Sequence, residues 1–192
     1  MKKCLALLLL PVLTGCLSAH VPSTSEWNVD VGPYCAGAEG PRKFGVTRLA
    51  QVVVCSPYDA RKMAVYRADN TMPLDPYNLF AAVPSRLFRE PARSLLDASG
   101  KFTAVVGASS SATASHIVEL TVTDLRLDCS RALENPEERE AVAEVSALVL
   151  DKNRDIVGSA RASARANARD GNYGLAFSKA FADAVKAAAG AL

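Results

Sequence analysis

Few residues in this chain have types and spacings that could do chemistry. Cys16 closes the run Leu13-Thr14-Gly15-Cys16, directly after an apolar stretch. A thiol placed there lies at a membrane surface, within reach of a lipid donor, and the small residues before it let a peptidase approach the backbone. Ser109, Ser110 and Ser111 sit in a small-residue segment with His116 close behind. A Ser/His hydrolase would also need a positioned acid and an oxyanion donor. Nothing in the sequence marks either, so a solvated loop is the favoured reading. Gly107-Ala108-Ser109 lacks a phosphate-loop pattern. Glu137, Glu138, Arg139 and Glu140 read as a solvated turn. Arg161 and Arg165 could form a basic strip on a sheet face, though most such strips are merely solvated.

The segment before Cys16 gives that residue its context. Lys2 and Lys3 precede about nine mostly apolar residues, the layout of a secretory signal peptide. The run is too short to cross ~30 Å of hydrocarbon as a helix. Its end resembles the lipobox of bacterial lipoproteins: Leu, a small residue, Gly or Ala, then Cys. The resemblance implies removal of residues 1–15, a diacylglyceryl thioether on Cys16, and a further acyl chain, such as palmitate, on the new amino group. Two or more chains give stable anchoring where one does not. Leu17, rather than Asp, follows the Cys. Under the common sorting rule that implies the periplasmic face of the outer membrane, with the inner membrane as the lesser alternative.

Composition narrows the remaining classes. The chain carries 22 Lys plus Arg against 20 Asp plus Glu. Without Lys2 and Lys3 the charges balance, so no basic face argues for nucleic acid. No later apolar run is long enough to span a membrane. Cys35, Cys55 and Cys129 remain once Cys4 and Cys16 are accounted for. An oxidising periplasm could pair two of them and leave one thiol over. A pair that includes Cys129, with Cys55 or Cys35, is slightly preferred, because Cys129 falls where a strand should end; three unpaired or buried thiols are the alternative. Wide spacing and only two histidines, His20 and His116, argue against a metal site. No cofactor motif is present.

The elements that must position these residues follow from periodicity. Residues 16–25 read as the lipidated N-terminus and a flexible tether, and 26–192 as one α+β domain. Trp27, Val29 and Val31 alternate as a short first strand. Residues 44–55 and 62–67 read as strands, 72–76 as irregular and 77–82 as extended. Residues 84–98 read as a helix with Leu87, Phe88, Pro91, Leu95 and Leu96 on one face, kinked at Pro91 or restarting at Glu90. Strands are expected over 102–106 and 116–129, the second with a bulge or strong twist near Thr123-Asp124 where the apolar register switches. Residues 133–139 form a charged turn. Ala141 to Val149 alternate, 151–155 make a hairpin loop, and 156–166 return. Propensity favours a helix in that last Ala/Arg stretch, but its period of two argues for a strand. The final helix, 172–192, carries Phe177, Phe181, Val185, Ala188 and Leu192 as its stripe. The expectation is a single domain: a twisted antiparallel or mixed sheet with two helices on one side.

This order of elements resembles the ABC-type transport auxiliary lipoproteins, the PqiC-like proteins that accompany transporters built around MCE proteins. The carriers are Val52-Val53-Val54-Cys55-Ser56-Pro57-Tyr58 through Met63-Ala64-Val65-Tyr66-Arg67, then residues 77–84. Next come Ser94-Leu95-Leu96-Asp97-Ala98-Ser99-Gly100-Lys101-Phe102 and the long strand, hairpin and Ala-rich helix. Phe80 stands where the family often has Trp, which keeps the aromatic and loses the indole donor. The resemblance implies a noncatalytic lipoprotein that docks on an MCE protein beside an ABC permease and ATPase and supports lipid movement between inner and outer membranes. The alternative is a structural or assembly lipoprotein of another outer-membrane machine.

Overall fold

The computed structural model describes residues 23–37, 41–132, 138–168 and 171–192. Cys16, the signal segment, residues 17–22 of the tether and 133–137 of the charged turn lie outside them. In chain order the strands are β1 (Ser25–Trp27), β2 (Phe44–Val54), β3 (Lys62–Tyr66), β4 (Leu74–Phe80), β5 (Phe102–Val106), β6 (His116–Asp128), β7 (Glu140–Leu150) and β8 (Ile156–Asn167). A 3₁₀ turn spans Gly32–Tyr34, and the helices are α1 (Pro84–Leu87), α2 (Arg89–Ala98) and α3 (Tyr173–Ala191). All eight strands join one mixed sheet.

The sheet is organised around β6. Along one edge β6 pairs antiparallel with β7, and β7 pairs antiparallel with β8. Its other edge is shared. The first half of β6 pairs parallel with β2, from Thr47↔His116 to Val54↔Val122, and its last residues pair parallel with β3, from Ala64↔Arg126 to Tyr66↔Asp128. The chain leaves β6 at Cys55, whose amide donates to Val122 O at 2.9 Å, and comes back four residues later on β6, at Arg126. Beyond this fork β2 continues to β5, while β3 continues to β4 and β1.

Two bulges keep the apolar residues on one side. Val118, Leu120 and Val122 are buried, and so are Leu125 and Leu127, although a strict period of two would turn the second set outward. The register steps from Val122↔Val145 to Asp124↔Glu144, so Thr123 is an extra residue and Leu125 and Leu127 return to the core face. Likewise Leu49↔Val118 is followed by Val52↔Leu120, which holds Leu49, Val52 and Val54 on that face.

Both larger helices cover this face. The side chains of Phe177, Phe181, Val185, Ala188 and Leu192 are all buried, as the stripe requires. Ala141, Ala143, Ala147 and Ala166 are buried opposite them, and such small residues allow close helix approach. Asn172 caps α3, its side-chain oxygen accepting from Leu175 N at 3.1 Å. Phe80, Phe88, Phe177 and Phe181 form a chain of rings with centroids 4.4–6.1 Å apart, joining β4, the α1–α2 junction and α3. Phe80 is 1% exposed in this aromatic setting. A Trp there would need a partner for its N–H.

One local expectation is met in its second form, a restarted helix, and two change. The helix over 84–98 is broken at Phe88 and restarts at Arg89, so Pro91 falls in the first turn of α2, where its missing N–H leaves no helical bond unmade. Strand β4 begins at Leu74, taking in residues expected to be irregular. The first strand stops at Trp27. Val29 and Val31 are nonetheless buried, because the chain straps across α3. Asp30 N donates to Ser178 Oγ at 2.9 Å. A Cβ on Gly174 would lie 2.8 Å from Asn28 O, so a residue without a side chain lets the strap sit this close.

Candidate functional site

Among the described residues both large helices lie on one side, and no helix covers the other face of β6–β7–β8. Alternation then dictates its contents. Residues between the buried ones point outward: Asp124, Arg126 and Asp128 on β6, Glu140 and Glu144 on β7, Arg161 and Arg165 on β8. Arg161 and Arg165 share the outward face of β8, as a basic strip would require. The structure brings them against carboxylates on neighbouring strands. Arg165 Nη1 pairs with Glu140 at 3.0 Å and Asp128 at 3.2 Å. Arg161 Nε donates to Glu144 at 2.8 Å. Arg126 pairs with Asp124 and lies 5.0 Å from the centre of the Tyr66 ring. The bulged Thr123 donates to the same Glu144 at 2.5 Å. The missing signal was register: nothing in the sequence says which acid faces which arginine.

The environment of these carboxylates differs. Burial pushes Asp124 above the usual carboxylate range, and Arg126 and Tyr58 offset that only in part. Burial also acts on Asp128, but the hydroxyl and amide of Ser130 and the Arg165 guanidinium outweigh it and hold that carboxyl low. The hydrogen bond from Thr123, then Arg161, holds Glu144 low. The net result is a face of matched charges, not a basic surface.

The same face turns apolar toward the 151–155 hairpin. Ile117, Leu150 and Ile156 stand opposite one another in register, and Ile156 is 65% exposed. Val53, opposite Thr121, is 41% exposed on the neighbouring strand. An apolar patch continued by ordered polar groups has the make-up of a protein-binding surface.

The other sequence candidates fall elsewhere. Arg48 Nη2 donates to the carbonyls of Ser110 and Ala112, at 3.3 and 2.8 Å, tying down the serine loop. His116 Nδ1 pairs with Ser115 Oγ at 2.9 Å, and its ring meets Phe44 edge-on. Cys35, Cys55 and Cys129 are free thiols in this structure. Cys55 lies beside Val122 and Cys129 just past the end of β6, its amide donating to Tyr66 O at 2.8 Å. At ~3.3 Å per residue that separation is roughly 20 Å, whereas a disulfide needs α-carbons within about 7 Å. The fold holds these two apart. Burial pushes the Cys129 thiol up, away from the reactive thiolate. It lines a groove of about 590 Å³ with Arg67, Asp75, Arg139 and Tyr173. Among the described residues no cluster of three or more His, Cys, Asp or Glu could hold a metal, and no helix is long and apolar enough to cross a membrane.

No family model matches the chain, and no curated protein matches its sequence. Solved structures do share its fold. A crystal structure of a Xanthomonas campestris protein assigned to DUF330 superposes with a TM-score of 0.60 at 14% identity, covering 85% of this chain and 88% of the other. A second crystal structure, of a protein described as uncharacterized, gives 0.59 at 13% identity, covering 85% and 92%. At such identities the likeness establishes the fold alone: an open mixed sheet with its helices on one side.

Proposed function

We propose that this chain is a noncatalytic, lipid-anchored docking subunit of the bacterial envelope, held through Cys16 at the periplasmic face of the outer membrane. Its uncovered sheet face binds a protein partner. In the reading favoured by the sequence resemblance, that partner is the MCE protein of an ABC-type lipid transporter with its permease and ATPase. One observation carries the docking role. Three adjacent strands present an ordered lattice of ion pairs next to exposed apolar side chains on a face that no helix covers.

The lattice suits recognition better than catalysis. Every arginine in it is already paired with a carboxylate, which fixes the donors and acceptors in position before a partner arrives. Matched charges also reject partners whose own charges fall out of register.

Site-specific photocrosslinking in intact envelopes tests this. A crosslinker at Ser163, on the uncovered face, should capture an MCE or ABC component, and one at Ala187, on the outer side of α3, should not. Capture of a different envelope assembly from Ser163 would support the alternative of another machine. Absence of any crosslink from Ser163, with the protein intact and anchored, would overturn the docking role.

A further inference from the structure

The exposed large apolar side chains of the described residues are not spread evenly. Ile156 and Val157 lie at the far hairpin of the uncovered face, Val53 at mid-sheet opposite Thr121, and Leu175 in the first turn of α3. Met72, Leu74 and Tyr77 are 36%, 39% and 45% exposed and cluster at the start of β4 and the turn before it. The Ile156–Val157 pair and the Met72, Leu74 and Tyr77 group lie at opposite ends of the sheet. Strand β6 starts beside Leu150, at the 151–155 hairpin, and ends at Asp128, beside Tyr66. The chain then turns through 67–73 from β3 into β4 at that second end. Thirteen residues of β6 at ~3.4 Å each put the two ends ~40 Å apart.

The N-terminus meets the sheet at the second end. Strand β1 runs parallel to β4, with Ser25↔Asn78 and Trp27↔Phe80 in register. The chain therefore reaches Ser25 from the side where β4 has its earlier residues, Leu74 to Tyr77. Eight residues, 17–24, separate Cys16 from Ser25. Fully extended at ~3.5 Å per residue, that chain reaches no more than about 30 Å. An acylated Cys16 thus keeps this end of the domain within about 30 Å of the bilayer.

We infer that Met72, Leu74 and Tyr77 form a membrane-contact patch, seated in the headgroup region of the same bilayer that holds the anchor; this rests on the reading of Cys16 as lipidated. The local chemistry fits a lipid surface. Asp69 of the turn and Asp75 of β4 each accept hydrogen bonds from residues two or three positions on. Asp69 accepts from the Thr71 amide and hydroxyl at 3.0 and 2.6 Å. Asp75 accepts from the amides of Tyr77 and Asn78 at 2.8 and 3.2 Å. Arg67 is exposed beside them and Arg131 is exposed at the same end of the sheet, available to lipid phosphates. Tyrosine suits the interface because its ring is apolar and its hydroxyl is polar. Such a contact orients the domain: the sheet stands away from the bilayer and its hairpin end is presented ~40 Å out.

The full-length protein, purified with its lipid from bacterial envelopes, provides the test. Tyr77→Trp and Ile156→Trp variants are reconstituted into phosphatidylethanolamine–phosphatidylglycerol vesicles with and without bromine on the acyl chains. Side chains seated ~5–10 Å into the headgroup–acyl boundary should be quenched by about twofold, so Tyr77→Trp should lose that emission. The Ile156→Trp variant should match the wild type, whose single Trp27 sets the baseline. Replacing Met72 and Leu74 by Ser in the Tyr77→Trp background should reduce the quenching, with thermal unfolding confirming the fold. An acylated Cys16 peptide and full vesicle flotation, but equal signals from both Trp variants, overturn the inference and leave the anchor standing. An unacylated Cys16 with no flotation overturns both. Crosslinks from position 77 to protein instead of lipid also overturn it.

Discussion

The two faces of the β6–β7–β8 sheet are made from the same strands and differ completely in what holds them. The covered face is Ala, Val and Leu packed beneath α3, with many side chains fully buried. The uncovered face is a lattice of acids and arginines joined across strands by Arg161 and Arg165 and within β6 by Arg126. Burial of apolar area is worth roughly 25 cal/mol per Å², so the covered face supplies most of the stability. The more exposed pairs, Arg161 with Glu144 and Arg165 with Glu140, contribute about 0–1 kcal/mol each. The covered face thus fixes the fold, and the uncovered one contributes little to its stability.

Substitutions can break or sharpen that contrast. The largest effect belongs to the covered face. Phe181→Ala removes a fully buried ring in contact with Phe88 and should cost about 3–5 kcal/mol in urea unfolding. Ala143→Leu places a larger side chain beneath α3 and should cost about 1–3 kcal/mol by overpacking. Asn172→Ala, at the N-cap of the helix that roofs the sheet, should cost about 1 kcal/mol in the same assay.

The uncovered face should respond mainly to acid and to partners. Asp128 and Glu144 are held below their ordinary range. A depressed carboxyl binds fewer protons in the folded state than in the unfolded one. Its contribution is therefore present above the unfolded value, near pH 4, and fades as pH falls through the lower folded value. Thermal scans should show a loss from about pH 5 to pH 3 that is smaller in Asp128→Asn. An undiminished loss in that variant would assign acid sensitivity to other groups. The smallest change in stability is expected for Glu144→Gln, within about 0.5 kcal/mol. The same variant should weaken photocrosslinking from Ser163 clearly. A large loss of stability there would erase the contrast between the faces.

Much of the fold was legible. The stripe from Phe177 to Leu192 and the alternation from Ala141 to Val149 each report a local period that one buried face imposes. The period of two in 156–166 outweighed a strong helix propensity, because β7 is there to pair with it. The switch near Thr123 was visible as a break in that period. The strap at Val29 and Val31 was not legible, because its burial depends on α3, which lies far away in sequence. The early start of β4 was hidden by Pro73, Asp75 and Pro76, residues that usually mark turns.

By itself, then, the sequence determined the local periods and the motif at Cys16, which depend on neighbours a few residues away, and the balance of charge, which depends on composition alone. Tertiary structure decided the fork of β2 and β3 on one edge of β6, and with it the distance between Cys55 and Cys129. It also decided that Arg161 meets Glu144 and Arg165 meets Glu140 and Asp128. Those choices depend on strand order and register, which are set by how two bulged strands and a helix share one core.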